Sequence, residues 1–586
     1  MAINATTAKE HGRDPAVTCC RFEAGGVVSP ENLEDPAIFE DLKESGLLTI
    51  PDNCLTIEQV LGVKLTKTID ALTPITSEYV DSANGVEQVL EGHDATNDVA
   101  PNGTKRTSST LAGMENLEVR PGCDNQVTIH IGEGKDISFT FPVGFMPAAS
   151  ASMGAASDKE LRNLKRRYFK IYEVAFGETT KLEGQTLTLR NAKELCKEAA
   201  SLEELVVDVK LDIITANQYS TYSDTIMDVQ PLACKEAGEL GQGITRVLDG
   251  VVLLVTGTDE NNVQIGEFGS SEGILSDNIK WGRPGAPDQG DILVKIHVVI
   301  KAGANMERPG PLAAHRAADL IATEIRDALR EACDTLISRE EEFVQYSRPD
   351  KPKVVLVKEI MGQGAMHDNL ILPTEPVGVL GARPNVDLGN LPIMLSPLEV
   401  LDGGIHALTC IGPASKECSR HYFREPLVMH ALADTEIDLV GVIFVGSPQA
   451  NSEKFYVSKR LGMMIEAMRV DGAIVTTEGF GNNHIDFAFH IEQIGQRDIA
   501  VVGVTYSAVQ GALVVGNKYM KHMIDVNKSE QGIENEILCY NTLCHDDAVR
   551  AMAMLKAALA KVPIKNAEKS WNPAVVANNR KAIEES

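Results

Sequence analysis

Leu439-Val440-Gly441-Val442-Ile443-Phe444-Val445 is an unbroken apolar run that ends at Gly446-Ser447-Pro448. Its length suits a strand, and its lack of alternation suits a strand covered on both faces. Ala473-Ile474-Val475 and Ile499-Ala500-Val501-Val502-Gly503-Val504 repeat the pattern downstream, and Val354-Val355-Leu356-Val357 precedes it. Between the first two runs, Leu461, Met464, Ile465 and Met468 recur at helical spacing, with the methionines read as core filling. Ser447-Pro448 predicts the start of that helix, serine as N-cap and proline at N1. Apolar strands separated by helices predict a parallel βαβαβ unit.

Ligands of such sheets bind beyond the carboxyl ends of the strands. Three loops lie there: Gly446-Ser447, then Thr476-Thr477-Glu478-Gly479-Phe480-Gly481-Asn482-Asn483-His484, and Thr505-Tyr506-Ser507. In the middle loop, glycines let backbone N–H groups approach a ligand, and Glu478 and His484 are candidate acid and base groups. A helix after Asn483 would present its positive end to a carboxylate. The plainer alternative is that Glu478 and His484 only cap that helix.

A chain of 586 residues is too long for one domain. Residues 1–81 read as a mixed domain, with a short strand at Leu47-Leu48-Thr49-Ile50-Pro51 and a helix opened by Thr56. Residues 82–114 are polar and turn-rich, a flexible linker. Residues 115–147 form a small β module, in which Val127-Thr128-Ile129-His130-Ile131 and Ile137-Ser138-Phe139-Thr140-Phe141 alternate as a hairpin. Residues 148–165 are a second linker. Residues 166–350 form an α/β domain with strands at 168–174, 186–189, 205–214 and 251–255 and a long helix over 312–336. Ala317, Leu320, Ile321 and Ile325 share one face of that helix, while His315 and Arg316 read as its charged face. Residues 351–586 are the α/β domain of the parallel sheet. The fold class is therefore α/β multidomain: a C-terminal parallel βαβ-type sheet preceded by mixed α/β and a small β-rich N-terminal module.

With 55 Lys+Arg against 83 Asp+Glu, the net charge is −28, which disfavours nucleic acid and anionic membrane surfaces as partners. No apolar run reaches the length of a membrane span, and the first residues show no signal-peptide pattern. The 11 cysteines include no CxxC pair and read as reduced thiols of a cytoplasmic protein. Cys539, Cys544 and His545 form the one compact group of metal-ligand type, but they lack a second pair, and no metal is expected.

The chemistry centres on His406-Ala407-Leu408-Thr409-Cys410-Ile411-Gly412-Pro413-Ala414-Ser415-Lys416-Glu417-Cys418-Ser419-Arg420-His421-Tyr422-Phe423-Arg424-Glu425-Pro426. The Cys410 thiol can attack the Thr409 carbonyl and turn the amide into a thioester. β-Elimination then cuts the chain and leaves dehydroalanine, which tautomerises and hydrolyses to a pyruvoyl group, an electrophilic ketone that no standard side chain offers. A lone cysteine is otherwise a small buried hydrophobe. Cys418 is a rival processing site and His406 a possible helper. Arg420, His421 and Arg424 are candidate substrate or acid/base groups, an arginine being suited to hold a carboxylate bidentately; pairing with Glu417 and Glu425 is the alternative.

The run HALTCIGPASKE followed by HYFREPL resembles the processing site of D-proline reductase proproteins, relatives of the component B subunits of glycine, sarcosine and betaine reductases. The resemblance runs from about Tyr168 to the C-terminus, and the region before it looks specific to the proline branch. It implies an oxidoreductase subunit made as a proprotein that self-cleaves between 409 and 410, with a covalent pyruvoyl cofactor derived from Cys410. It also implies D-proline as substrate, opened reductively to 5-aminovalerate in the amino-acid fermentation of anaerobes (the Stickland reaction). The partners implied are a selenocysteine-containing reductase subunit, a thiol or NADH-linked electron donor protein, and the chain's own two cleavage fragments. A cut there leaves 409 residues ahead and 177 behind in a chain of 586. A component B subunit of a glycine or sarcosine reductase, or an uncleaved non-catalytic scaffold paralogue, are the alternatives.

Overall fold

The computed structural model describes residues 3–80 except 20, 37–38 and 40–47, and residues 158–562 except 266–270, 305–308, 361–368, 372–385, 388–389, 408–416, 449, 480, 507–514 and 530–536. Between these spans it describes the strands at 120–121, 126–133 and 135–142. The chain forms two compact units, Met1–Gly144 and Phe145–Ser586.

In the first unit, Asn4 caps the helix Ala5–Glu10, its Oδ1 accepting from the N–H groups of Thr6 and Thr7 at 2.9 Å. Thr56 opens the helix Ile57–Val60 as its sequence predicts, and Gln59 Oε1 accepts from the Thr56 N–H at 2.9 Å, which completes a capping box. Leu33, Ile57, Val60, Leu65, Ile69 and Ile75 make a small core. The strand expected at 47–51 does not form over 48–51. Pro51 has no N–H for a ladder, and its carbonyl accepts from Cys54 at 3.0 Å in a turn. The expected hairpin is present: Gln126–Glu133 pairs antiparallel with Lys135–Pro142, Ile131 opposite Ile137, and Arg120–Pro121 adds a short third strand. The 82–114 linker lies outside the described residues.

The second unit is built on two four-stranded sheets and one six-stranded sheet, with smaller ribbons beside them. One four-stranded sheet runs Ile226–Gln230, Val251–Asp259, Ile292–Ile300, Val206–Ile214 in space; the other runs Ala233–Ala237, Gly243–Asp249, Lys159–Lys170, Ile337–Ser347. The Lys159–Lys170 strand thus begins inside the 148–165 stretch expected as linker. The long helix spans Pro309–Arg330 and buries Ala317, Ile321 and Ile325. It stops short of residue 336 because Arg246 Nη1 donates to the carbonyls of Leu329 at 3.2 Å and Ala332 at 2.5 Å, and so takes up acceptors the helix end leaves open. On this helix Arg316 is partly exposed beside Glu203, at 3.0 Å, but His315 is fully buried and not on a charged face.

The six-stranded sheet has the spatial order Ile393–Leu395, Asp438–Gly446, Lys353–Ile360, Gly472–Thr477, Ala500–Thr505, Met523–Asp525. Every neighbouring pair is parallel except Ile393–Leu395 with Asp438–Gly446. Both faces are covered, which explains the unbroken apolar runs. Gly472 faces Leu555 and Leu559 of the helix His545–Leu559, whereas Gly503 faces Ile491 of the helix Asn483–Gly495. Gly472 pairs with Ala500, three residues before Gly503, so the two helices lie on opposite faces. The helix between the first two long runs is Asn451–Met468, with Ala450 as N-cap, not Ser447. The Ser447 hydroxyl is engaged instead by Lys454 Nζ at 2.8 Å.

In chain order Lys353–Ile360 is the first parallel strand, yet it lies between Asp438–Gly446 and Gly472–Thr477. The winding reverses there, so the carboxyl ends of Lys353–Ile360 and Gly472–Thr477 flank the crevice where open parallel sheets place ligands.

Candidate functional site

Lys358 and Glu359 follow directly on Val354-Val355-Leu356-Val357 and end the central strand with two adjacent charges, both buried. Alternation along the strand sends them to opposite faces and into two different networks.

Lys358 enters the first network. Its Nζ lies 2.8 Å from Glu417 Oε2 and 2.9 Å from Glu425 Oε1. His421, one helical turn from both carboxylates, places Nε2 3.1 Å from Glu417 Oε1 and 3.9 Å from Glu425 Oε1. Burial opposes charge on His421, but Glu417 and then Glu425 outweigh it and push its pKa up to about 9. Burial raises Glu425, but Lys358 and His421 outweigh it and bring it down to about 2. Two cations therefore face two carboxylates, all buried. Glu478 joins from the end of the Gly472–Thr477 strand. It accepts from the Tyr422 hydroxyl and, at 3.3 Å, from the Glu417 N–H.

Glu359 enters the second network. Its Oε1 accepts from Thr477 Oγ1 at 2.9 Å, and its Oε2 lies 3.4 Å from His490 Nε2. Asp486, one helical turn before His490, pairs with Lys454 Nζ at 3.0 Å. Burial, with the nearby Asp486 charge second, raises Glu359 well above the carboxylate range, and burial brings His490 down to about 3. Both shifts favour the uncharged form, Glu359 as the acid and His490 as the neutral ring. Glu359→Gln, neutral and nearly isosteric, should therefore shift unfolding free energy by no more than about 1 kcal/mol, whereas an ionised glutamate at this position would make the change costly. Thermal melting at pH 7 checks this, and a loss of several kcal/mol would show Glu359 to be charged.

The other expected site residues are dispersed. His484, in the first turn of its helix, places Nε2 2.9 Å from Thr505 Oγ1, and burial brings its pKa down to about 4. Arg424 pairs with Asp288 at 2.9 Å and, like Arg420, lines a cavity of about 630 Å³ that also receives Arg166, Arg339, His430 and His545. His421 and Glu478 are thus brought into one network, and Arg424 opens on the cavity. Cys410 and Thr409 lie outside the described residues, but their flanks are described. The Ala407 N–H donates to Ser419 Oγ at 2.9 Å, and Ser419 in turn donates to Asp228 from Oγ at 2.6 Å and from N–H at 2.9 Å. On the other side, Glu417 is fixed by Lys358, His421 and Glu478. The rival Cys418 is fully buried against the Gly285 carbonyl at 3.1 Å, and burial raises its thiol well above the usual range.

Lys358, Glu359, Lys454, Asp486 and His490 were not read from the sequence as site residues. The paired charges closing an apolar strand, and the Asp486/His490 pair one turn apart, are the signals that could have found them.

Residues 162–513 match the family of glycine/sarcosine/betaine reductase component B subunits. A D-proline reductase proprotein, PrdA, of Acetoanaerobium sticklandii is 58% identical, the alignment covering 100% of this chain and 95% of that protein. The chain belongs to this family. More distant members include the glycine reductase complex component B subunits alpha and beta of the same organism, 26% identical over 58% of this chain and 79% of that protein. The sarcosine reductase complex component B subunit alpha of Peptoclostridium acidaminophilum is 28% identical over 28% of this chain and 36% of its own length. No solved structure matches the chain. The kinship supports a reductase role within a multi-subunit complex. No helix among the described residues is long and apolar enough to cross a membrane.

Proposed function

We propose that the chain is the proprotein of the pyruvoyl-bearing subunit of a cytoplasmic D-proline reductase, cut between Thr409 and Cys410. Full-length kinship to a D-proline reductase proprotein supports the substrate class, and the Thr409-Cys410 pair supports the chemistry. The observation that carries the reading is at the described flanks of the pair: the Ala407 N–H is held on Ser419 and the Glu417 N–H on Glu478, and Glu417 belongs to the buried charge network. Cys410 is three residues from Ala407, so the chain cannot carry it more than about 11 Å away.

The residues present fit a carbonyl. His421 is buried and protonated near neutral pH, and its Nδ1 has no hydrogen-bond partner among the described residues. That N–H is available to a carbonyl oxygen, where it would stabilise developing negative charge. The pyruvoyl carbonyl supplies an electrophile for the secondary amine of D-proline, which opens the Cα–N bond to a selenolate from a separate selenoprotein subunit. Glu417 and Glu425 hold His421 charged, and Lys358 holds those two carboxylates in place. A thiol or NADH-linked protein restores the selenoprotein.

Denaturing mass spectrometry of the purified protein tests the reading. A C-terminal piece starting at 410 and blocked to Edman chemistry, with an upstream piece of about 44 kDa, is expected. Borohydride should trap D-proline on the smaller piece. A single uncut chain from the native host would sink the proposal.

A further inference from the structure

Four polar side chains converge upstream of the 408–416 segment, outside both networks. Asp228 and Gln230 come from the strand Ile226–Gln230, His315 from the helix Pro309–Arg330, and His406 from the strand Ile405–Ala407; all four are buried. His406 Nε2 lies 2.9 Å from Gln230 Nε2, 3.1 Å from His315 Nδ1 and 3.7 Å from Asp228 Oδ2. Gln230 Nε2 is 3.4 Å from His315 Nδ1.

Hydrogen bonding accounts for only part of this crowding. An imidazole nitrogen carries either one lone pair or one proton. Bare, His406 Nε2 has one lone pair for two donors, the Gln230 amide at 2.9 Å and His315 Nδ1 at 3.1 Å. Protonated, it donates to His315 or Asp228 but clashes with the amide hydrogens. Gln230 Oε1, also buried, has no hydrogen-bond partner among the described residues. Turning the amide over moves the oxygen to the position of Nε2 and sends the donors to the unpartnered side, at the cost of the hydrogen bond Gln230 makes to Asp228.

We propose that Asp228, Gln230, His315 and His406 bind one divalent transition-metal ion of the zinc type as a closed, structural N2O2 site. Bonds of 2.0–2.2 Å in a tetrahedron require ligand atoms about 3.3–3.6 Å apart. His406 Nε2 lies 3.1 Å from His315 Nδ1 and 3.7 Å from Asp228 Oδ2, and with the amide turned over the Gln230 oxygen takes the Nε2 position, 2.9 and 3.4 Å from the two imidazoles; these separations bracket that range. The cation resolves the contact between two imidazole nitrogens and pairs with the Asp228 carboxylate. A neutral imidazole keeps one bare nitrogen, so His315 and His406 can each ligate through the nitrogen that faces the cluster while the other ring nitrogen holds the proton. Ser419 donates to both Asp228 oxygens and orients the carboxylate. The ligands come from three segments far apart in sequence, so no motif spacing announces the site. The metal fastens the short strand that enters the 408–416 segment to the upstream sheet and helix.

The experiment is a metal count on the full chain, purified without chelator and exposed to Zn²⁺ or Co²⁺ alone. About one ion per chain is expected, with Co²⁺ giving the visible absorption of a tetrahedral site. EDTA should lower the melting temperature of the wild-type chain. His315→Gln and Asp228→Asn should each weaken binding by roughly tenfold or more, while His490→Gln, in the separate Glu359 network, should leave the count unchanged. A wild-type chain that takes up neither ion overturns the proposal without recourse to any variant. So does a count that His315→Gln and Asp228→Asn leave intact.

Discussion

Cys410→Ala should run as one chain of 63.3 kDa and turn over no D-proline, a loss of at least about 10⁴-fold. Alanine has no nucleophile to shift the Thr409 acyl group and no leaving group on Cβ, so neither the cut nor the carbonyl can form. Cys410→Ser separates the two roles. A serine hydroxyl makes an ester in place of the thioester, and elimination from that ester leaves the same dehydroalanine. Cleavage should therefore be slower, but each cleaved chain should carry the same carbonyl and take up D-proline under borohydride as the wild type does. Cys418→Ala should be cut normally, because that thiol is buried, protonated and hydrogen-bonded to Gly285. Gel analysis and mass spectrometry of the three variants read all of this. Normal cleavage of Cys410→Ala, or loss of cleavage in Cys418→Ala alone, would move the processing site away from Cys410.

The parallel sheet was legible because burial on both faces writes a contiguous apolar run: 439–445 and 473–475 fall within observed strands, and 499–504 does so from Ala500 on. The strand order was not legible. No residue states on which side of Lys353–Ile360 the chain returns, so the reversal that creates the crevice had to be seen in three dimensions. Glu478 was found by its place after a strand. Lys358 and Glu359 were missed because charges after an apolar run look like the strand's exit into solvent. They point inward because Glu417 and Glu425, some sixty residues on, and Thr477 and His490, more than a hundred residues on, supply their partners. Serine and proline at 447–448 carry a genuine N-cap signal, but Lys454 competes for the hydroxyl and the helix starts later. Arg424 was chosen by closeness in sequence to Cys410. The helix Ser419–Phe423 turns His421 into the charge network while Arg424, just past its end, opens on the cavity.

Lys358→Met should destabilise the second unit by about 3–5 kcal/mol, because it leaves two buried carboxylates facing one remaining cation, His421. On a unit of this size that corresponds to a melting temperature lower by roughly 3–5 °C. Adding Glu425→Gln restores the balance, one carboxylate against one imidazolium, and should recover most of the loss. A double variant no more stable than the single would show that lost packing, not charge, sets the cost. The pH dependence has a definite sign. The His421 pKa is about 9 in the folded chain against 6.5 for an ordinary histidine, so its contribution is full below pH 6.5 and lost as pH rises through 9. At 1.36 kcal/mol per pH unit that contribution is about 3 kcal/mol. Glu425 falls to about 2 from 4.5, so its contribution is full above pH 4.5 and lost as pH falls through 2. The network should therefore stabilise most between pH 4.5 and 6.5. Melting temperature should decline between pH 6.5 and 9, and His421→Gln should flatten that decline. An unchanged alkaline slope in His421→Gln would place the titrating group elsewhere. The same measurement bears on function, because His421 must keep its proton at neutral pH to serve a carbonyl oxygen, and the two carboxylates that keep it charged are those that Lys358 balances.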